Sequence, residues 1–190
     1  MREWLRRSRG YLIALPIALV IGFGYDGYNV WKEADLKVDV DQGEQAKIGA
    51  ATVQFQGVQI KQPSSDDSFS ISQVPEGAVV VVAKFRGRID DRARAKKLKF
   101  ISCESKIEDD EGWNWKSETL SKPYIPESAS TTCTGSRTNK KFKEVNPPEG
   151  EWYTFYMGYY VPKERAQKAE LYPTLDFYKD PRPLRFRPAG

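Results

Sequence analysis

The chain has 190 residues, with 30 basic and 26 acidic side chains and no histidine, for a formal net charge of +4. The lack of histidine excludes Ser/His and Cys/His nucleophilic sites and histidine-ligated zinc. Residues 1–10 hold four arginines and one acid, which leaves 26 basic and 25 acidic residues in the remainder. A domain so balanced lacks the basic surface that nucleic-acid binding needs.

Residues 11–31 are predicted to form a transmembrane helix in the lipid bilayer. The uncharged run 11–25 would be a helix of about 22 Å, so a span across the roughly 30 Å hydrocarbon core must extend to Trp31. Trp4 and Trp31 suit the two headgroup levels. A cleaved signal peptide is the alternative, because a basic segment before a short apolar core fits that too.

The basic segment also predicts the orientation of the span. Its arginines mark residues 1–10 as cytoplasmic by the positive-inside rule, which places the protein in the plasma membrane as a single-pass protein. Residues 32–190 then form one extracytoplasmic domain.

One face of the predicted span consists of small residues. Ala14, Ala18 and Gly22 recur every fourth position, so they stack on one side of the helix and allow another backbone to approach. This spacing predicts a helix-packing interface. The alternative is that small residues are simply common in membrane helices.

Beyond residue 32 the dominant hydrophobic period is two, which predicts β-strands. Gly57 interrupts the alternation between Val53–Phe55 and Val58–Ile60, as a β-bulge does. The continuous apolar run Val79–Val82 is typical of a strand that is buried on both faces.

Cys103 and Cys133 are the two cysteines of the chain. Both follow the predicted anchor, and an even count in an oxidising compartment predicts one disulfide. The alternative is a pair of unrelated buried thiols.

A hairpin is predicted where Leu98–Ile107 and Trp113–Thr119 flank the acidic turn 108–112. The acids of this turn lack the alternate spacing of a calcium loop, so no metal site is predicted. Trp113 and Trp115 lie two residues apart and are expected to share a face, which either packs on the core or forms an aromatic binding face.

The most aromatic strand is predicted at 151–161, with aromatic side chains on both faces. Pro162 then opens a predicted helix over Lys163–Glu170. Seven or so short strands separated by turn signals predict a mainly β fold, an antiparallel β-sandwich of immunoglobulin-like kind.

Two passages resemble known envelope proteins. The opening Arg-x-Trp-Leu-Arg-Arg, followed by Leu15-Pro16 in the apolar run, resembles a group of actinobacterial envelope proteins with a single N-terminal span. The passage Val161–Leu171, Val-Pro then a charged helix then Leu, resembles the extracytoplasmic immunoglobulin-like domains of the DUF4352 type. The resemblance implies a sandwich outside the membrane and carries no chemistry with it.

The sequence predicts a protein that is not an enzyme and needs no cofactor. Ser-x-x-Lys and Gly-x-Ser-x-Gly are absent, although a carboxylate pair for glycoside hydrolysis leaves no short signature. The favoured hypothesis is a non-catalytic accessory subunit of an integral membrane protein complex, for which the actinobacterial respiratory cytochrome supercomplex is the first to test. The alternative is a membrane-tethered binding module for envelope glycan, lipid or a secreted protein.

Overall fold

The computed structural model describes residues 37–63, 74–97, 103–119, 124–126, 129–138, 141–177 and 182–189. These residues form eleven strands and two short helices. In chain order they are β1 (Val38–Asp41), β2 (Gln45–Ile48), β3 (Ala51–Lys61), β4 (Ala78–Ile89), α1 (Arg92–Lys97), β5 (Cys103–Asp109), β6 (Asn114–Glu118), β7 (Arg137–Thr138), β8 (Glu144–Val145), β9 (Trp152–Pro162), α2 (Lys163–Lys168), β10 (Leu171–Phe177) and β11 (Leu184–Arg187). The described chain is mainly β, as predicted.

Nine of these strands join one hydrogen-bonded sheet in the order β1-β11-β10-β5-β6-β9-β4-β3-β2. Strand β6 changes its partner along its length: Lys116 pairs with Lys106 of β5, and Ser117 pairs with Tyr159 of β9. A strand that switches partner in this way turns the corner between two layers. One layer holds β1, β11, β10 and β5, and the other holds β9, β4, β3 and β2.

Four phenylalanines form the centre of the core between the layers. Phe186 of β11 contacts Phe85 of β4 and Phe55 of β3, with ring centroids 5.2 and 5.6 Å apart. Phe155 of β9 stacks on Phe85 at 5.1 Å. All four side chains are fully buried. Because rings from both layers meet, the layers pack face to face as a β-sandwich.

The valine run of β4 is buried on both of its faces, which confirms the prediction made from its continuous apolar pattern. Val79 and Val81 belong to the main core. Val80 and Val82 pack with Tyr124 in a second cluster on the outer face of the sheet. A loop that contains Tyr124 therefore covers this part of the sheet.

Three local predictions are confirmed. The register of β3 against β4 shifts between Phe55 and Gly57, and Gly57 has a φ of +134°, as a bulge there requires. Strands β5 and β6 form the predicted hairpin, in which Ile107 pairs with Trp115. Helix α2 begins directly after Pro162 and ends two residues before its predicted limit.

The pairing of the first and last strands departs from the predicted antiparallel pattern. Val38 of β1 pairs with Leu184 of β11 in a parallel ladder. Tight turns force neighbouring strands to run antiparallel, whereas strands from opposite ends of a domain are free of that constraint. Helix α1 and the two-residue ladder β7–β8 were not predicted from the sequence.

Neither of the two described helices is longer than six residues, so the described ranges contain no helix of membrane-spanning length. The predicted span 11–31 lies outside these ranges, and so do Ala14, Ala18 and Gly22.

Candidate functional site

The predicted disulfide is present and fastens a loop to the sandwich. Cys103 at the start of β5 is bonded to Cys133, thirty residues later, with their Cα atoms 6.2 Å apart. Cys133 is buried against the main core. The bond therefore fixes the loop 129–136, which we call the cystine loop, next to the sheet.

The two tryptophans of the predicted aromatic face lie in different surroundings. Trp115 in β6 is half-buried against the main core. Trp113 lies just before β6 in the hairpin turn and is 59% exposed. The guanidinium of Arg165 on α2 stacks 5.5 Å from the centroid of the Trp113 ring. The pair therefore does not form one continuous exposed shelf.

The acids of the same turn are engaged in structural contacts. Oδ1 of Asp109 accepts hydrogen bonds from the backbone N–H groups of Glu111 (3.1 Å) and Trp113 (2.8 Å). Its other oxygen, Oδ2, is buried and lies 3.5 Å from Nη1 of Arg165. Arg165 also forms an ion pair with Glu111. These contacts tie the hairpin turn to α2 and offset part of its negative charge.

A cleft of about 560 Å³ opens on the outer face of the layer that contains β4 and β9. Its floor is formed by side chains that point away from the core: Lys84 from β4, and Trp152, Thr154 and Tyr156 from β9. Alternation along a strand places these side chains opposite Phe85 and Phe155. Its volume is in the range of small-molecule binding sites.

The first wall of the cleft is the cystine loop. The backbone N–H of Tyr156 donates to the carbonyl of Ser130 at 2.9 Å, so the loop lies along β9. The phenol of Tyr153 donates to the carbonyl of Cys133 at 2.7 Å. Burial raises the pKa of the Tyr153 phenol far above its ordinary value, so the group keeps this proton at any physiological pH.

The ring of Tyr153 is held between two glycines. A Cβ at Gly135 of the cystine loop would lie 2.3 Å from the ring, and one at Gly87 of β4 would lie 2.6 Å from it. Gly135 also has a φ of +71°, which side chains rarely adopt. The close approach of the loop to the sheet therefore requires glycine at position 135.

The second wall is formed by residues 145–148. The guanidinium of Arg92 donates to the carbonyl of Pro147, and the backbone N–H of Arg92 donates to Glu149 at 3.0 Å. Helix α1 begins at Arg92. This helix therefore positions the wall through contacts that span more than fifty residues of sequence.

The cleft carries more basic than acidic charge. Lys84 and Arg137 line it, and Glu151 is the one carboxylate among its described lining residues. Arg86 and Arg88 continue the same face of β4 beyond the cleft and stack on Trp152, at 5.0 and 4.9 Å from its ring centroid. These two contacts fix the indole ring at the floor.

Asp90 offsets part of the charge beyond the cleft. Its carboxylate accepts from Nε of Arg88 and from the hydroxyl of Thr52, each at 2.6 Å. Partial burial acts to raise the pKa of Asp90, but these two hydrogen bonds outweigh it and hold the pKa below its ordinary value. Among the described residues, no group of three or more His, Cys, Asp or Glu side chains is arranged to hold a metal ion.

Sequence reasoning missed the cleft. The basic side chains at alternate positions of β4, Lys84, Arg86 and Arg88, were an available signal, since they must share one face of a strand. No sequence signal brings Arg137 to the same place.

No protein-family model matches the chain, and no curated protein matches it either. Two solved structures are similar in shape. An uncharacterized beta-sandwich protein from Clostridium difficile 630 is 11% identical, with a TM-score of 0.44, over 80% of this chain and 95% of that one. A conserved hypothetical protein from Bacillus anthracis is 14% identical, with a TM-score of 0.39, over 72% of this chain and 93% of that one.

Proposed function

We propose that the chain is a non-catalytic binding module, tethered to the outside of the plasma membrane by residues 11–31. The cleft between the cystine loop and residues 145–148 is the site where it holds a ligand of the cell envelope. The observation that carries this proposal is the construction of the cleft. A disulfide, a buried phenol and a long-range arginine contact hold its two walls in place, and such preformed walls are typical of ligand sites.

The immunoglobulin-like kind of sandwich belongs to the same proposal. Antiparallel pairing within each layer supports it, apart from the edge pair β1–β11. Strand β6, which runs through both layers, is a departure from the two separate sheets of that fold.

The test is retention of the full-length protein on purified envelope fractions after detergent extraction. Thr154→Phe places a bulky side chain on the cleft floor and should abolish retention. Gln59→Phe makes a similar exchange on β3, at an exposed position that does not line the cleft, and should retain binding. Equal retention of both variants, with both folded, contradicts the assignment of the cleft.

An accessory subunit of a membrane protein complex is the second candidate. It is supported by the spacing of Ala14, Ala18 and Gly22, and the actinobacterial resemblance makes the respiratory cytochrome supercomplex the first complex to test. Ala18→Leu should push a neighbouring helix away and weaken co-purification. Ile17→Phe, about 100° around the helix, should not. Equal recovery of the complex with both variants counts against this candidate.

A further inference from the structure

The charges of the cleft suggest what kind of ligand it takes. Lys84 is half-buried on the floor, and Arg137 lines the cleft where β7 begins. The side chain of neither residue forms an ion pair or hydrogen bond with a described residue. Glu151, the carboxylate at the cleft, is exposed to solvent. Lys84 and Arg137 therefore face one cavity, and neither has a carboxylate partner among the residues that the structure describes.

An anion in the cleft would improve the environment of the half-buried Lys84, and the exposed Arg137 would be a second contact for it. Burying part of an ammonium group without a counter-ion has a free-energy cost, and hydrogen bonds to an anionic group offset it. Arg86 adds positive potential beside the cleft, because alternate positions of a strand lie about 6.8 Å apart on one face. Asp90 neutralises Arg88 alone.

The aromatic side chains of the floor indicate what should carry the anionic group. Trp152 is fixed by Arg86 and Arg88, and Tyr156 is paired with Lys84 across the β4–β9 ladder. Flat rings held in position suit the apolar face of a sugar ring. The hydroxyl of Thr154 and the phenol of Tyr156 supply polar groups to the same cavity.

We infer that the cleft binds an anionic sugar. Lys84 and Arg137 hold its phosphate or carboxylate, and Trp152 and Tyr156 contact its ring. This inference rests on the proposed function and deepens it by naming the class of ligand.

The test is equilibrium dialysis of the full-length protein in a polyoxyethylene detergent, which contains no sugar. The probes are glucose 6-phosphate, glucose, glycerol 3-phosphate and inorganic phosphate. Glucose 6-phosphate should bind at least tenfold more tightly than glucose, because only its phosphate can accept charge-assisted hydrogen bonds from Lys84 and Arg137. It should also bind more tightly than the two other phosphates, which lack the ring.

Variants assign the interaction to the cleft. Lys84→Met and Arg137→Met should each weaken glucose 6-phosphate binding about tenfold, without a change in thermal midpoint. Trp152→Leu should remove the preference for glucose 6-phosphate over glycerol 3-phosphate. The controls Lys47→Met and Arg94→Met remove the same charges from exposed positions outside the cleft and should bind as the unmodified protein does.

Each of the other possible outcomes contradicts a specific part of the inference. Equal affinity for glucose and glucose 6-phosphate contradicts recognition of an anionic group. Equal affinity for all three phosphates contradicts recognition of the sugar ring. Absence of binding to any probe, or equal losses in the Lys47 and Lys84 variants, overturns the whole inference. In these cases the proposed function stands if the unmodified protein is retained on envelope fractions and Thr154→Phe is not. If the unmodified protein is not retained on envelope fractions, the proposed function itself is wrong.

Discussion

Two tryptophans of the sandwich are stacked by arginine, and their surroundings differ. At Trp113 the stacking guanidinium belongs to Arg165, which also pairs with Asp109 and Glu111. At Trp152 the stacking guanidinium of Arg88 is neutralised by Asp90, while Lys84 and Arg137 of the adjoining cleft have no carboxylate partner among the described residues.

The difference separates a structural cluster from the proposed binding surface. In the Arg165 cluster, Arg165, Asp109 and Glu111 are paired with one another, so these contacts contribute to stability and leave little for a ligand. In the cleft the walls are fixed while the cations stay available. Substitutions in the Arg165 cluster should therefore affect folding stability, and substitutions in the cleft should affect ligand binding.

The disulfide should give the largest effect, because it serves both the fold and the cleft. Replacing Cys103 and Cys133 together with serine should lower the free energy of unfolding by about 3–4 kcal/mol, since the bond closes a loop of thirty residues. Urea unfolding measures this change. Retention on envelope fractions should fall as well, because the cystine loop loses its anchor. An unchanged urea midpoint would contradict the structural role of the bond.

The Arg165 cluster should respond in stability alone. Asp109→Ala removes the acceptor of two backbone N–H groups and the buried partner of Arg165, and it should cost about 2–3 kcal/mol of unfolding free energy. Asp110→Ala, at the exposed neighbouring position, should change it by less than about 0.5 kcal/mol. Thermal unfolding compares the two variants. If Asp109→Ala also lost envelope binding while folded, the separation of the two regions would fail.

Gly135→Ala should act mainly on the wall of the cleft. The added methyl group meets the ring of Tyr153 at 2.3 Å, so the cystine loop must move, at a cost of about 1–3 kcal/mol. Gly150→Ala is the matched control, since Gly150 has a φ of +78° and nothing within 4 Å of the added methyl. Only Gly135→Ala should weaken envelope binding. Equal effects of the two variants would show that backbone conformation, and not contact with Tyr153, accounts for the change.

Substitution of Asp90 should have the smallest effect on stability, and the size of that effect should depend on pH. The pKa of Asp90 is lowered in the folded protein, so its contribution to stability is present above the unfolded-state pKa. The contribution is lost as pH falls through the lower folded-state pKa. Asp90→Asn should destabilise by about 0.5–1 kcal/mol at pH 7, since the pair is near the surface. The difference in stability between the unmodified protein and Asp90→Asn should shrink toward pH 2.5, and thermal midpoints of both proteins at pH 7 and pH 2.5 would show this. The same difference at the two pH values would exclude titration of Asp90 as its cause.

Features that depend on neighbouring residues could be predicted from the amino-acid sequence. Alternation identified strands such as β3, the continuous valine run identified the two buried faces of β4, Gly57 marked the bulge, and Pro162 marked the start of α2. Each depends on local backbone geometry, which a few adjacent residues fix. The disulfide could also be predicted, because two cysteines allow only one pairing.

Features that arise from contacts between distant parts of the chain could not be predicted in this way and are seen in the folded domain. The parallel pairing of β1 with β11 joins the two ends of the domain, and no turn between them specifies a direction. Helix α1 begins where Arg92 meets Pro147 and Glu149. The cleft exists because the cystine loop and residues 145–148 meet over one face of β4 and β9. Lys84 and Arg137 thus face one cavity although more than fifty residues separate them in the chain. Local sequence patterns carry no information about contacts over such a separation.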